Sequence, residues 1–575
     1  MKENKFNFLL LVLLAVSTGT LFGCSAGFTP AGGGSSTQPS TSPGPDPHFD
    51  YAWHLKNTGQ SVFATNGGVA GMDLNLDNTW MDDIFGAGLH VRISDDGVSD
   101  EHPDLSANFL TGVSRDFTRS SPYVSTNARP KASDDIHGTA VAGLIAGIYN
   151  NSIGAVGVAP LAKFSSANFL SSHVTQNELL LVAQADGNFD ISNMSWGTSQ
   201  NTFFPIEPTY ETILQNRVTN GRSGRGSIFV KASGNDYFVT CRGSTSEPCV
   251  GNANMDPDAA NPFTILVGGL DAKGVATTYS STGSNLWISA FGGEDGVSDP
   301  GIFTTDRPSC SVGYAKTSNS TTVTFERGQN GNSGCRYTSA FGGTSAAAPQ
   351  ISGVVALMLE ANPNLSWRDV KYILAKTARK VDPDRDNPIT VHPLNSFNGR
   401  TIPSGYVYEL PWITNTAGFH FHNWYGFGLV NTDAAVTMAK TYSVNLGTYQ
   451  NHSVSSSISP ALTIPDNSLT GATHTLSVAQ NLKIESVRVS MQINHNDISD
   501  LAIELTAPSG TKSILMNINN SLEGVSGYTT SNYLLSNAFY QESSTGNWTL
   551  KVVDGDPGVT GQLVNWTLHL SGGPN

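Results

Sequence analysis

The stretch FGGTSAAAPQISGVVALMLE, from Phe341 to Glu360, places two glycines and two hydroxyl residues before a run of small and apolar residues. Proline lacks a backbone N–H and is tolerated best in the first turn of a helix, which is where we place Pro349. The stretch therefore predicts a buried helix that carries Ser345 at its start. A hydroxyl there lies close to unpaired backbone N–H groups and the positive end of the helix dipole, which stabilise a developing oxyanion. A tight turn with a helix cap is the alternative for these residues alone.

Short apolar strands alternate with helical stretches around this segment, from about residue 46 to residue 440. Strands that alternate with helices are typical of an α/β domain with a largely parallel sheet. The predicted strands are LHVRIS, FDISNMSW, GSIFVKAS and FTILVGG, and the predicted helices are HGTAVAGLIAGIY, SAAAPQISGVVALMLEA and WRDVKYILAKTA.

From about residue 441 to residue 575 the hydrophobic pattern changes to a period of two. The segments ESVRVSMQINH, DLAIEL, NWTLKVVD and VNWTLHLS follow this pattern and are separated by clusters of Gly, Asn, Pro and Ser. Alternation of this kind places one face of each strand in a core. The segment therefore predicts a second domain, an antiparallel β-sandwich.

A serine nucleophile needs a base, and the base needs an acid that orients it. DDIHGTAVAG places His137 at the start of a predicted helix, and VRISDDG places Asp95 at the carboxyl end of a predicted strand, where α/β folds carry their sites. VKASGNDY places Asn235 after another strand, where its amide would donate to an oxyanion. Each residue alone has a structural explanation, such as a core histidine or a Gly-Asn turn. Together, in the order Asp95, His137 and Ser345, they predict the catalytic triad of a serine hydrolase.

The order and its flanking motifs resemble the kexin- and furin-type proteases, the proprotein-convertase branch of the subtilisin family. The matching stretches include WHLKNTGQ, DDGVSDEHPDL, DDIHGTAVAG, NMSWG, GGTSAAAP and YGFGLVNTDAAV, and NHNDISDLAIELTAPSGTKSILM matches the P domain of that branch. The resemblance covers about residues 46–570. It implies a serine endopeptidase with a subtilisin-like α/β domain over residues 46–440 and a jelly-roll-like P domain over residues 441–575.

The resemblance also implies a substrate cleft beside Ser195-Trp196-Gly197, whose backbone would pair with an extended peptide. Proprotein convertases prefer basic residues before the scissile bond and bind them through carboxylates. The matching acids are Asp96 and Asp134 for the second subsite and Asp256 for the first, while Gln200 stands where a convertase has another aspartate. We therefore expect a preference for basic residues that is less strict than in a processing convertase. Capping of turns is the alternative role of the three acids.

The family binds structural calcium near the start of the protease domain. Hard oxygen ligands from separate loops suit Ca²⁺, which would hold those loops together. An acidic cluster without a metal is the alternative. The matching ligands are the side chains of Asp46, Asp104 and Asn151 and the carbonyls of Ile148, Ile153 and Ala155.

Residues 1–23 combine two early lysines with an apolar stretch, a pattern typical of an export signal. The end of this stretch, LFGC, resembles a bacterial lipobox, so residues 24–45 are predicted to be a flexible tether joined to a membrane of the cell envelope through a lipidated Cys24. An ordinary secretory signal is the alternative. The other four cysteines allow three pairings in an oxidising compartment, and neighbours in sequence favour Cys241–Cys249 and Cys310–Cys335.

The chain has 31 Lys and Arg against 46 Asp and Glu, a net charge of -15, which argues against nucleic acid as the main partner. The expected partners are protein and peptide substrates. Subtilases usually carry a prodomain that assists folding, and too few residues lie between Cys24 and the first family motif to form one. We therefore expect folding to rely on a separately encoded chaperone or inhibitor, or on the P domain.

Two other functions are weighed against a lipid-anchored or secreted serine endopeptidase. A non-catalytic surface protein that keeps this scaffold for binding would have lost part of the triad or Asn235, and all four residues are present. A degradative subtilase of broad specificity is still a possible function, because the first subsite has Gln200 in place of one acid and keeps only Asp256.

Overall fold

A computed structural model describes residues 46–575, apart from 119–123, 126–127, 155, 172–175, 203, 243, 245 and 395–401. The predicted signal and tether, with Cys24, lie outside the described residues, and so does the predicted calcium ligand Ala155. Residues 43–575 make up one compact unit. In the part of the chain that is described, no helix combines the length and the apolar character needed to cross a membrane.

The first part of the chain contributes fourteen strands among the described residues. They are β1 (His90–Asp95), β2 (Ser114–Asp116), β3 (Val124–Ser125), β4 (Lys163–Asn168), β5 (Ile191–Met194), β6 (Ile228–Ala232), β7 (Phe238–Thr240), β8 (Pro248–Val250), β9 (Thr264–Leu270), β10 (Ile288–Phe291), β11 (Ile302–Thr305), β12 (Tyr337–Phe341), β13 (Ile413–Thr414) and β14 (His420–Phe421). Eight of them form one sheet in the order β10-β9-β6-β5-β1-β4-β2-β3. Seven of these run parallel, and β3 pairs antiparallel with β2 at one edge. The other six strands form three two-stranded pairs.

Helices cover both faces of this sheet. The helices among the described residues are α1 (Asp77–Met81), α2 (His137–Ala146), α3 (Gln176–Ala185), α4 (Pro208–Gly224), α5 (Thr344–Ala361), α6 (Trp367–Thr377) and α7 (Thr432–Lys440). The buried side chains of α2 and α5 pack against one face, and those of α4 pack against the other with Phe229 and Met194. A parallel sheet between two helical layers is buried on both sides, so its strands are continuous apolar runs. The four predicted strands correspond to β1, β5, β6 and β9 of the structure. The predicted α/β class is confirmed.

The helix that begins at Thr344 differs in one respect from the prediction. Pro349 lies in the second turn of α5 and not in the first. A proline there removes the hydrogen bond to the carbonyl four residues earlier, which belongs to Ser345. The Ser195 hydroxyl donates to that carbonyl at 2.9 Å, so the lost helical bond is replaced from another element.

The second part of the chain forms a β-sandwich of nine strands. They are β15 (Gln450–Ser455), β16 (Leu462–Ile464), β17 (Ser468–Val478), β18 (Leu482–Asn494), β19 (Leu501–Thr506), β20 (Lys512–Met516), β21 (Tyr533–Ser536), β22 (Gly546–Asp554) and β23 (Gly561–Pro574). One sheet has five strands, with β16 beside β23, and the other has the order β17-β22-β19-β20. The pairs are antiparallel, and the inward side chains of both sheets share one core around Trp548 and Trp566. The predicted antiparallel β-rich domain is confirmed.

Two disulfides close short loops of the first domain. Cys241 bonds to Cys249, and Cys310 bonds to Cys335. Both pairs are the ones that neighbours in sequence favour, so this prediction is confirmed.

The sandwich and the first domain share buried contacts. Tyr540 of the sandwich belongs to the core of the first domain and packs with its ring centroid 5.0 Å from that of Trp287. Met255 of the first domain is buried in the core of the sandwich. Arg488 forms an ion pair with Glu211 of α4 at 2.9 Å. The two domains therefore pack through apolar side chains as well as through charges.

Candidate active site

Asp95 and His137 form a hydrogen-bonded pair at the carboxyl end of the parallel sheet. Asp95 is the last residue of β1 and is fully buried, and His137 is the first residue of α2. The His137 Nδ1 atom lies 3.0 Å from each Asp95 carboxylate oxygen. A carboxylate in this position fixes the tautomer of the ring and stabilises the imidazolium form.

Ser345 is the second residue of α5, which packs against α2. The ring of His137 packs edge-on against Phe341, which ends β12 four residues before Ser345, with centroids 5.4 Å apart. The Ser345 hydroxyl donates to the Ser195 carbonyl at 3.0 Å, and the Ser195 hydroxyl donates to the Ser345 carbonyl. Two reciprocal bonds therefore hold the start of α5 against the segment that follows β5.

Asn235 is held in a defined orientation beside Ser345. Its Oδ1 atom accepts hydrogen bonds from the Thr344 backbone N–H at 2.9 Å and from the Thr344 hydroxyl at 3.0 Å. These bonds direct the Nδ2 donor group away from Thr344. Gly343 has φ +93° and leaves the space that this amide needs, because a Cβ atom there would lie 2.9 Å from Nδ2. The amide donor of Asn235 thus lies beside the turn that leads to the Ser345 hydroxyl.

Ser195, Trp196 and Gly197 follow β5 and connect the start of α5 to the centre of the sheet. The Trp196 indole N–H donates to the Ser94 carbonyl at 3.0 Å, and its ring packs edge-on against Phe169. The segment is therefore fixed through its side chains, which leaves part of its backbone for pairing with an extended peptide.

The two acids predicted for the second subsite lie in different surroundings. The buried Asp96 carboxylate accepts from the backbone N–H groups of His137 at 3.0 Å and Gly138 at 2.7 Å, so it caps the start of α2. Burial and the neighbouring Asp95 raise the pKa of Asp96 to about 8. The Asp134 side chain is exposed. Asp96 thus has the capping role considered as its alternative, whereas Asp134 faces solvent.

Asp256, predicted for the first subsite, is buried beside a lysine. Its carboxylate lies 3.3 Å from the ammonium of Lys231, which belongs to β6 and has no exposed surface. The neighbouring Asp258 is also buried, and burial followed by the charge of Asp256 raises its pKa to about 7. The amide of Gln200 donates to the Ser233 carbonyl at 2.8 Å. The region therefore contains an internal cation as well as carboxyl groups.

The residues predicted to bind calcium come from three segments that meet around one loop. Asp46 accepts from the backbone N–H groups of Asn150 and Asn151 at 2.7 and 2.8 Å. Asp104 accepts from the Asn151 amide at 2.7 Å, and its backbone carbonyl accepts from Ile148. The donors that Ca²⁺ prefers are therefore two carboxylates from separate segments and the Asn151 amide oxygen, which accepts from the Ile153 N–H. The residues present therefore fit a calcium ion.

Three supporting residues are absent from the sequence predictions. Thr344 orients Asn235, and the Tyr279 hydroxyl accepts from the Gly343 N–H at 2.8 Å, which fixes the turn before α5. Lys231 is the third. Only Lys231 had a signal in the sequence, because a lone lysine interrupts the buried run SIFV-K-AS. Contacts of the other two depend on chain segments that are far apart in sequence.

Two families and several relatives match this chain over most of its length. Residues 86–428 match the family described as the subtilase family, and residues 484–570 match the proprotein convertase P-domain. An extracellular serine protease of Aeromonas sobria is 32% identical over 100% of this chain and 99% of the relative. Neuroendocrine convertase 2 of Homo sapiens is 29% identical over 92% of this chain and 74% of the relative.

A solved structure agrees with these matches. The crystal structure of the Aeromonas sobria serine protease in complex with the chaperone superposes with a TM-score of 0.84 at 30% identity, covering 93% of this chain and 96% of that one. The likeness extends through both domains because the coverage is nearly complete. The chain belongs to the subtilase family, as a serine protease with a proprotein convertase P-domain.

Proposed function

We propose that the protein is a serine endopeptidase in which Ser345 is the nucleophile, His137 the general base and Asp95 the orienting acid. The observation that carries the proposal is the 3.0 Å hydrogen bond between His137 and the buried Asp95, on a helix that packs against α5, whose second residue is Ser345. The three residues supply what acyl transfer needs: a hydroxyl nucleophile, a proton acceptor that works near neutral pH and a fixed carboxylate.

The proposed reaction follows from these roles. Ser345 exchanges its bond to the Ser195 carbonyl for one to His137 and attacks the peptide carbonyl carbon, while His137 takes the hydroxyl proton. The Asn235 amide and the Ser345 backbone N–H donate to the oxyanion. His137 then protonates the leaving amine, and water releases the acyl group from Ser345 with His137 again acting as base.

We also propose a moderate preference for basic residues before the scissile bond. Asp256 at the first subsite and the exposed Asp134 at the second supply negative charge, and Asp96 adds to it when it is ionised. The relatives named as convertases support this preference. Gln200 in place of an acid reduces the charge that would hold a buried Arg or Lys.

Calcium, export and a folding partner complete the proposal. Asp46, Asp104, Asn151 and the carbonyls of Ile148 and Ile153 would hold a Ca²⁺ ion, which ties separate loops together. The Aeromonas sobria relative is described as extracellular, which supports export of this chain, with a lipid anchor at Cys24 as the finer proposal. A related protease has been crystallised with a chaperone, which supports a separately encoded folding partner here.

Replacement of the nucleophile tests the proposed mechanism. We expect Ser345→Ala to lower kcat by at least 10⁴-fold on a peptide substrate, because losing the nucleophile removes the covalent step. The thermal melting profile should stay close to that of the wild type. Ser320→Ala, at an exposed serine, is the matched control and should retain full activity. Activity near the wild-type level in a purified Ser345→Ala protein would contradict the mechanism.

A further inference from the structure

Lys231 is a fully buried lysine in the central strand β6, four residues before Asn235. Its ammonium donates to the Trp196 carbonyl at 2.6 Å and lies 4.1 Å from the centroid of the Trp196 ring. It also lies 3.3 Å from a carboxylate oxygen of Asp256. An ammonium without such partners would be costly to bury, so these three contacts explain why the lysine is tolerated there.

The pair of Lys231 and Asp256 lies directly beneath the segment proposed to bind the peptide. A Cβ atom on Gly197 would lie 2.9 Å from Asp256 Oδ2 and 3.7 Å from Lys231 Nζ. The Thr198 N–H donates to the same Asp256 oxygen at 3.4 Å. Two residues before Gly197, Ser195 exchanges hydrogen bonds with Ser345. A side chain that enters beside Gly197 from a peptide bound at Ser345 would therefore approach this pair.

We propose that Lys231 is a specificity-determining residue of the first subsite, where its ammonium neutralises Asp256 and limits the preference for basic side chains. The inference rests on the proposed function and deepens it. Asp256 and Lys231 together carry no net charge, and Gln200 adds none. Burial, followed by the charge of Asp256, raises the pKa of the neighbouring Asp258 to about 7, so this second carboxyl group is mostly protonated below that pH. An incoming arginine or lysine must therefore share Asp256 with a cation that is already bound to it. Like charges in one buried site oppose each other, so the gain from a basic substrate is reduced.

The charge balance predicts opposite effects for the two partners. Removal of the ammonium leaves Asp256 as a buried anion without its cation, and a guanidinium from the substrate would then compensate it. Removal of the Asp256 charge leaves Lys231 as a cation whose remaining neighbour, Asp258, is mostly protonated below pH 7. The pocket would then disfavour basic side chains and favour acidic ones.

The test measures kcat/KM for three peptides that differ only in the residue before the scissile bond, which is Arg, Leu or Glu. We expect Lys231→Met to raise the Arg/Leu ratio at least tenfold and to strengthen competitive inhibition by benzamidine, a mimic of the arginine side chain. Lys231→Gln, which keeps a donor for the Trp196 carbonyl, should change the ratio in the same direction. Asp256→Asn should lower the Arg/Leu ratio below that of the wild type and raise the Glu/Leu ratio.

Controls separate this inference from the mechanism on which it rests. Lys440→Met removes an exposed lysine that pairs with Asp82 and should leave all ratios unchanged. An unchanged Arg/Leu ratio in folded Lys231→Met or Lys231→Gln protein would overturn the inference. So would an Asp256→Asn protein that loses the preference for arginine without any gain for glutamate. Neither result would affect the proposed triad, which fails only if Ser345→Ala stays active.

Discussion

At the scale of single residues, two neighbours fix the backbone of Ser345 at the start of α5. Pro349 frees the Ser345 carbonyl, and Ser195 occupies it, so the backbone of the proposed nucleophile is tied to the proposed peptide-binding segment. Thr344 performs a similar task for Asn235 by binding its Oδ1 atom twice. The proposed nucleophile and oxyanion donor are thus both oriented by neighbours that take no part in the reaction.

Removal of the oxyanion donor tests this arrangement. We expect Asn235→Ala to lower kcat by about 10²–10³-fold with little change in KM, because the amide acts on charge that develops only in the transition state. Thr344→Val removes one of the two bonds that orient Asn235 and should cause a smaller loss. Steady-state kinetics on one peptide measure both effects. A Thr344→Val enzyme slower than Asn235→Ala would contradict the assigned roles.

Some residues of the candidate site could be predicted from sequence alone, and others could not. Asp95 ends a strand, Asn235 follows one, and His137 and Ser345 lie at helix starts, so local motifs were enough to predict these four residues. The partners of Asp256 could not be predicted in this way. Lys231 and Asp256 are 25 positions apart, and only the packing of β6 beneath Gly197 brings them together.

At the scale of elements, helix α2 has no side-chain cap from its own first residues, and Asp96 takes that role from the end of β1. The carboxylate binds the first two N–H groups of the helix, including that of His137. Strand and helix are thereby joined next to the Asp95–His137 pair. By contrast, α6 is capped locally by Ser366 and Asp369, which exchange hydrogen bonds in a capping box.

The two caps allow a matched comparison. We expect Asp96→Ala and Ser366→Ala each to lower the free energy of unfolding by about 1 kcal/mol, because each removes a helix cap. Only Asp96→Ala should also lower kcat, since His137 begins the affected helix. Chemical unfolding in a Ser345→Ala background avoids self-cleavage, and kcat is measured in the active protein. An equal loss of kcat in both variants would contradict the positioning role of Asp96.

Element boundaries were less predictable than element types. The apolar pattern predicted α2 as far as Tyr149, but the helix ends at Ala146. The Ile148 N–H donates instead to the Asp104 carbonyl, in the loop proposed to bind calcium. A tertiary contact therefore ends a helix that its sequence could have continued.

At the scale of the whole molecule, buried polar groups join the two domains. Glu409 of the first domain is buried and accepts hydrogen bonds from Asn517 of the sandwich at 2.8 Å and from Asn423 at 3.1 Å. Burial raises the pKa of Glu409 to about 7. The folded protein thus retains a proton that the unfolded chain loses near pH 4.5.

This carboxyl group should make stability depend on pH. Because the pKa is higher in the folded state, its contribution is complete below pH 4.5 and is lost as the pH rises through 7. We expect the free energy of unfolding of the wild type to fall by roughly 3 kcal/mol more than that of Glu409→Gln between pH 4.5 and 8. Urea unfolding in the Ser345→Ala background measures the difference. Glu247→Gln, at an exposed glutamate, should behave as the wild type, and parallel curves for Glu409→Gln and the wild type would refute the assignment.

Met255 connects the sandwich to the charge pair proposed to govern peptide preference. Its side chain is packed inside the sandwich, while the next residue along the backbone is Asp256. Through Met255 the sandwich therefore holds Asp256 in place in the proposed first subsite. The sandwich itself supplies no side chain to the pair of Lys231 and Asp256. If the first domain were fused to a different β-sandwich, it would keep the proposed catalytic residues. It would lose the packing of Met255, so its preference among substrates would change.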